Sequence, residues 1–200
     1  MSGDPRATHR IVVGISGASG AIYGVRLVEV LRDTPGVEVH LVISKGAAAT
    51  IAYETDRSPE DIRALAHASY EETDLAAALA SGTFLTDGMV VAPCSIRTLS
   101  SIANSANDNL ITRAADVHLK ERRPLVLLVR ETPLHAGHLR LMSEATAAGA
   151  VILPPVPGFY TRPTTIAELV DHSVGKALDV LRIEHSLFRR WTGPEPADGA

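Results

Sequence analysis

The chain has 200 residues, 46% hydrophobic and 21% charged, with a formal net charge of −4. That composition suits one globular domain and excludes a general nucleic-acid surface, which needs a basic stripe. The lone cysteine, Cys94, excludes an intrachain disulfide and fits a reducing, cytoplasmic setting. No apolar run approaches the ~20 residues of a membrane span, and the polar start MSGDPRATHR lacks the apolar core of a targeting segment.

Taken in order, residues 1–9 read as a flexible N-terminus, 10–192 as one α/β domain and 193–200 as a flexible tail. RIVVGI (10–15) is a strand buried on both faces. A Gly/Ser turn follows, then AIYGVRLVEVLRD (21–33), whose Leu27, Val30 and Leu31 recur at helical spacing. Pro35-Gly36 ends that helix. VEVHLVIS (37–44) is a second strand and the Ala-rich 45–55 a helix. SPEDIR opens a helix predicted over 58–70, with a Ser N-cap, Pro at the first helical position and acids in the first turn. Residues 71–87 read as irregular, with a helical turn and a short edge strand around Thr83-Phe84-Leu85. GMVVAPCS (88–95) is a third buried strand. Helices follow at 96–104 and 109–121, a strand at 124–131, a helix at 135–148, a strand at 150–155 and a final helix at 164–183. Strands alternating with helices predict a doubly wound, mostly parallel sheet of Rossmann or flavodoxin type.

The first strand-to-helix turn, GISGASGAIYG (14–24), sits where such sheets bind ligands. Free backbone N–H groups and the helix dipole favour a phosphate there. Gly17 and Gly20 permit close approach, Ala18 offers its backbone, and Ser16 and Ser19 add hydroxyl donors. The spacing is G-x-x-G-x-x-G, and the second strand ends in Ser44-Lys45 without the carboxylate that a dinucleotide ribose requires. The Walker pattern is absent as well. A mononucleotide such as FMN therefore fits better than NAD or ATP. The second turn, Ser95-Ile96-Arg97-Thr98, suits the same ligand, although a Ser N-cap with an exposed Arg also explains it. Cys94 reads as a small buried residue. His135 and His138, three apart on a helix, lack further clustered metal ligands and read as capping or surface groups.

Several segments together resemble the UbiX-type flavin prenyltransferases: GISGASGAIYG (14–24), SKGAAATIAYET (44–55), PCSIRTLS (93–100), NLITRAADVHLKERRPLVLLVRETPLHAGHLRLM (109–142) and GAVILPPVPGFYTRP (149–163). The stretch RETPLHAGHLRLM is most similar to the B subunits of hydroxyarylic acid decarboxylases. The resemblance implies transfer of a dimethylallyl group from dimethylallyl phosphate to reduced FMN, without a metal. The implied product is prenylated FMN, used by a UbiD-type decarboxylase, and the implied assembly is a homododecamer. It implies a Ser19/Glu54 pair beside the flavin and mechanistic roles for Lys120 and Glu131. It further implies a phosphate site of Arg113, Arg130, Tyr160 and Lys176, FMN contacts from Ser44, Ser95 and Thr98, and an aromatic wall at Trp191. Lys176 stands where the family commonly has Arg, which keeps the charge but loses the bidentate fork.

The chemistry matches these residue types. An allylic cation is stabilised by an aromatic face, and a leaving phosphate by fixed cations and donors. The same residues have ordinary alternatives: a strand-end ion pair between Arg130 and Glu131, a solvated KERR run containing Lys120, an oligomer contact at Trp191. Two other functions stay open on the sequence: an FMN-dependent cysteine decarboxylase on the same fold, and a non-catalytic flavin carrier serving an aromatic acid decarboxylase.

Overall fold

The computed structural model describes residues 8–193. β1 (His9–Ile15) leads into α1 (Ala21–Asp33), β2 (Val37–Ile43) into α2 (Lys45–Glu54) and α3 (Pro59–Leu65), and β3 (Ala68–Glu71) into a connection with one 3-10 turn (Ala78–Ala80). β4 (Gly88–Cys94) is followed by α4 (Ile96–Ala103) and α5 (Leu110–Lys120), β5 (Leu125–Val129) by α6 (Ala136–Ala148), and β6 (Val151–Ile152) by α7 (Ile166–Val180). The strands pair in parallel in the order β3-β2-β1-β4-β5-β6.

Successive strand residues point to opposite faces, and both faces are covered. Ile11, Val13 and Ile15 pack with Leu27 and Leu31 of α1 and Val174 and Leu178 of α7. Val12, Met89 and Val91 pack with Leu99 of α4, Ile111 of α5 and Leu141 of α6. The chain winds outward in both directions from the β1–β4 pair, so the carboxyl ends of these two strands open a crevice.

The edge strand is not at 83–85. It is β3, cut from the predicted 58–70 helix, which ends at Leu65. Ala68 to Glu71 alternate in burial and pair with His40 to Ile43. The carbonyls of Gly82 and Phe84 are instead taken by the Arg123 guanidinium, at 2.6 and 2.9 Å, while the Phe84 ring packs edge-on against His40. The predicted strand 150–155 shortens to Val151–Ile152 because Pro154 and Pro155 have no N–H for a ladder. The last helix begins at Ile166, where Thr165 and Glu168 form a capping box, and ends at Val180. β1 starts at His9, inside the segment expected to be flexible. The rest of that expectation, on residues 1–7, and the tail expectation from residue 194 onward lie outside the described residues.

Candidate functional site

The turn from β1 to α1 approaches the start of α2 backbone to backbone. A Cβ on Gly17 would lie 3.0 Å from the Gly46 Cα, so a side chain there forces the two loops apart. Gly20 has φ 96° and supplies no side-chain cap to α1. Ser16 does not serve a ligand as the sequence suggested. Its buried hydroxyl donates to the Pro93 carbonyl and accepts from the Ser95 N–H, each at 2.8 Å, and so fastens the β1 turn to the β4 turn. The Ala18 N–H bonds the Ser16 carbonyl at 2.9 Å.

Three helices begin around this crevice, each with an extended polar N-cap. Ser44 accepts from the Ala47 N–H at 3.1 Å, Ser95 from the Thr98 N–H at 3.2 Å, and Asn109 from the Thr112 N–H at 3.0 Å. The Ser95 and Thr98 hydroxyls are 3.1 Å apart. Ile96, the first residue of α4, packs against the core. A cleft of about 680 Å³ lies between these helix starts, lined by Gly17, Ser44, Gly46, Ser95, Arg97 and Thr98. Helix N-termini favour negative charge. At the rim, Glu72 accepts from the Lys45 N–H at 2.9 Å and Asp108 lies 3.9 Å from Arg97.

A second, smaller cleft of about 390 Å³ shares the same turn, with Ser19, Tyr23, Glu54 and Arg130 as its polar groups and Ile22, Pro155, Ile166 and Val170 among its walls. One Glu54 oxygen accepts from the Gly20 and Ala21 N–H groups at 2.7 and 3.0 Å. Glu54, at the end of α2, thus caps α1 where glycine provides nothing. Burial pushes its carboxyl up, but bonds from the Ser19 hydroxyl and these two amides, with the Arg130 charge, outweigh that effect and hold it below the usual carboxylate range. Arg130 follows β5 and is tied to β4 by its N–H to the Cys94 carbonyl at 3.0 Å. Glu131, next along, accepts from the Thr132 N–H at 3.0 Å.

An aromatic wall stands on the C-terminal side. Trp191 meets Tyr160 edge to face with centroids 5.8 Å apart, beside a cleft of about 390 Å³ that also holds Arg162, Arg189 and Arg190. Asp179 of α7 anchors the segment carrying Trp191. It accepts from Arg190 at 2.8 Å and His185 at 3.2 Å, and pairs with Lys176 at 3.5 Å.

The protomer does not bring Arg113 and Lys120 to the Ser19–Glu54 cleft. Arg113 bonds the Ala80 carbonyl and pairs with Asp116, both at 3.1 Å. Lys120 closes α5, about 15 Å of helix rise from its start, and is paired with Glu121 beside Gly82. His135 caps α6 by accepting from the Gly137 N–H at 3.0 Å. Among the described residues no cluster could hold a metal ion. The sequence reasoning passed over two groups. Asn109 carries a readable capping signal, a polar residue followed three positions later by Thr112. Tyr23 stands in the first turn after the Gly/Ser turn, on the same end of the sheet as the ligand crevice.

A family model described as Flavoprotein matches residues 2–187. The chain is 58% identical over 186 residues to the flavin prenyltransferase UbiX of Thauera aromatica, covering 93% of this chain and 95% of that one. Among solved structures it is similar to AnUbiX (PadA1) in complex with FMN and dimethylallyl pyrophosphate, at 52% identity and TM-score 0.92, over 94% of this chain and 100% of the other. It is also similar to a dodecameric FMN-dependent UbiX-like decarboxylase of Escherichia coli O157:H7, at 47% identity and TM-score 0.90, over 92% and 100%.

Proposed function

The chain belongs to the Flavoprotein family and, within it, to the UbiX-type flavin prenyltransferases, and on that premise we propose that it transfers a dimethylallyl group from dimethylallyl phosphate to N5 and C6 of reduced FMN. The observation that carries this reading is the pair of clefts on one turn, a large one under three helix starts and a small, half-apolar one holding Ser19, Glu54 and Arg130. The large cleft fits FMN in its donor set, hydroxyls and helix starts around a turn whose close Gly17–Gly46 contact keeps the two loops together. When bound, reduced FMN supplies the nucleophilic ring atoms.

The chain's own groups divide the remaining work. The Ser44, Ser95 and Thr98 hydroxyls and the Gly17 backbone hold phosphate and ribityl oxygens, with Ala18 closing the turn through its bond to Ser16, Ile96 packed behind the α4 start and Arg97 at the rim. Ser19 lowers the pKa of Glu54 and shares the small cleft with it. It accepts a proton-bearing ring nitrogen there, and Glu54 stabilises positive charge that develops beside it. Arg130 holds the allylic phosphate as its charge grows. Tyr160 and Trp191 offer faces to the allylic cation; to Lys176, here paired with Asp179, we assign further charge for the phosphate, and to Glu131, next to Arg130, a role in moving a proton.

We assign Arg113 and Lys120, and the Tyr160–Trp191 wall, to sites shared with neighbouring copies. A similar solved structure is dodecameric, and Tyr53, Val156, Phe159 and Ile166 are left more than two thirds exposed in the protomer, from 71% to 88%. These side chains are available to contacts between copies. Prenylated FMN passes to a UbiD-type decarboxylase. Cytoplasmic residence is supported by the single thiol, that of buried Cys94. Among the described residues no helix is long and apolar enough to cross a membrane.

The test is anaerobic incubation with reduced FMN and either dimethylallyl phosphate or the diphosphate, followed by mass spectrometry of the extracted flavin. A dimethylallyl mass increment is expected. Unchanged flavin, with FMN shown to bind, refutes the reading. Reduction of bound oxidised FMN on adding a cysteinyl peptide would instead indicate the cysteine decarboxylase.

A further inference from the structure

Taking the small cleft as the seat of the allylic donor, an assignment that rests on the prenyltransferase reading, we propose that the Tyr23 hydroxyl is a further substrate-contacting group that donates a hydrogen bond to the donor's phosphate beside Arg130. Tyr23 is the third residue of α1, with its N–H bonded to the Gly20 carbonyl at 3.0 Å. Its ring lies against the turn, since a Cβ on Gly20 would stand 3.0 Å from it. The body of the ring packs on the core while the residue lines the cleft.

An inventory of the cleft's polar groups leaves few donors. Glu54 is an anion whose oxygen already takes two amides. The Ser19 hydroxyl helps to hold Glu54 below the usual carboxylate range and is engaged with that carboxylate. Among the side chains, what remains is the Arg130 guanidinium and the Tyr23 phenol, which has no hydrogen-bond partner among the described residues. Burial raises the phenol's pKa, more than the neighbouring Arg130 charge lowers it, so the group keeps its proton and stays a donor. Opposite stand Ile22, Pro155, Ile166 and Val170. A cation and a phenol facing an apolar wall match a small phosphate ester with a branched hydrocarbon tail.

In the transfer the allylic C–O bond breaks, its electron pair leaves with the phosphate, the N5 lone pair of the reduced flavin forms the C–N bond, and the N5 proton passes to the departed phosphate. Tyr23 gives up no proton in this step. Its hydrogen bond strengthens as charge accumulates on the phosphate, which is the condition for lowering the barrier.

Tyr23→Phe removes the hydroxyl and leaves the ring. Loss of a hydrogen bond to a charged group corresponds to about ten- to a hundredfold. The expected result is a fall of that size in kcat/KM for dimethylallyl phosphate. A matching loss is expected in calorimetric affinity for dimethylallyl phosphate on protein loaded with oxidised FMN, where no turnover occurs. FMN affinity and thermal midpoint stay at wild-type values, which a packing role would shift. A variant with wild-type kcat/KM and wild-type donor affinity overturns the assignment of Tyr23 alone. A wild type that neither binds nor consumes dimethylallyl phosphate removes the prenyltransferase reading and the Tyr23 assignment with it.

Discussion

Glu54→Gln removes a charge at the start of α1 and leaves the shape. Gly20 at the N-cap has no side chain, so the stabilisation of two first-turn N–H groups, at 2.7 and 3.0 Å, comes from Glu54 across the α2–α1 contact. A glutamine oxygen can still accept from both amides, and the lost part is the charge. Charged hydrogen bonds exceed neutral ones by ~1 kcal/mol, and an anion at a helix N-terminus adds ~0.3–1 kcal/mol. Glu54 is exposed, so solvent screening discounts both, and about 1 kcal/mol remains at neutral pH. The sign of the pH dependence follows from the carboxyl's folded pKa lying below its usual value. The stabilisation is complete above the unfolded pKa of ~4.3 and is lost as pH falls through the lower folded value. Urea unfolding of wild type and variant, at one protein concentration, should show a gap of about 1 kcal/mol at neutral pH that closes in acid. Equal stability at pH 7, or a gap that persists unchanged into acid, refutes the capping argument.

His118 is buried between the Ala114 carbonyl at 2.7 Å and the Thr86 hydroxyl at 2.9 Å, and burial lowers its pKa to about 4. Wild type should therefore lose about 3 kcal/mol as pH falls from ~6.5 to 4, because the unfolded chain takes up the proton first; His118→Gln should flatten that slope in acid-titrated unfolding. Cys94 is completely buried and burial pushes its thiol up, so a thiol reagent at pH 8 should label the protein only after denaturant is added, and rapid native labelling contradicts the fold around β4. Asp179→Ala frees Arg190 and His185 from α7, and because Trp191 is the only tryptophan, its fluorescence should shift, whereas Glu144→Ala on α6 should leave the emission unchanged.

The fold was legible because this sheet is buried on both faces. β1, β4 and β5 carry near-continuous apolar runs, and the Ser58 cap of SPEDIR marks the start of α3. β3 was hidden because four half-exposed residues, Ala68-Ser-Tyr-Glu, carry no apolar run, while Phe84 looked like a strand residue but packs against His40 and the Arg10 guanidinium. The meeting of the 14–24 and 95–98 turns was legible for a topological reason: in a doubly wound sheet they come together where the winding reverses. Ser16 was misread because its neighbours Gly17 and Ser19 do face the crevice, whereas its own hydroxyl is enclosed by residues 77 and 79 positions away in sequence.

The candidate residues divide by how far apart the chain holds them, and that division bears on what must assemble. Ser19, Glu54 and Arg130 come from the ends of β1, α2 and β5 and converge within one protomer, as the sheet topology requires. Lys120 cannot join them, because α5 runs antiparallel to the strands and carries its last residue to the opposite end of the sheet, beside Gly82 and ahead of β4. Arg113 and Lys120 lie two turns apart on nearly one face of α5, and neither lines the Ser19–Glu54 cleft of its own protomer. If both act on the allylic donor, then a second copy must bring the end of α5 to the first copy's crevice. Activity should then vanish on dilution to monomers even while FMN stays bound to the Ser44 and Ser95 turns.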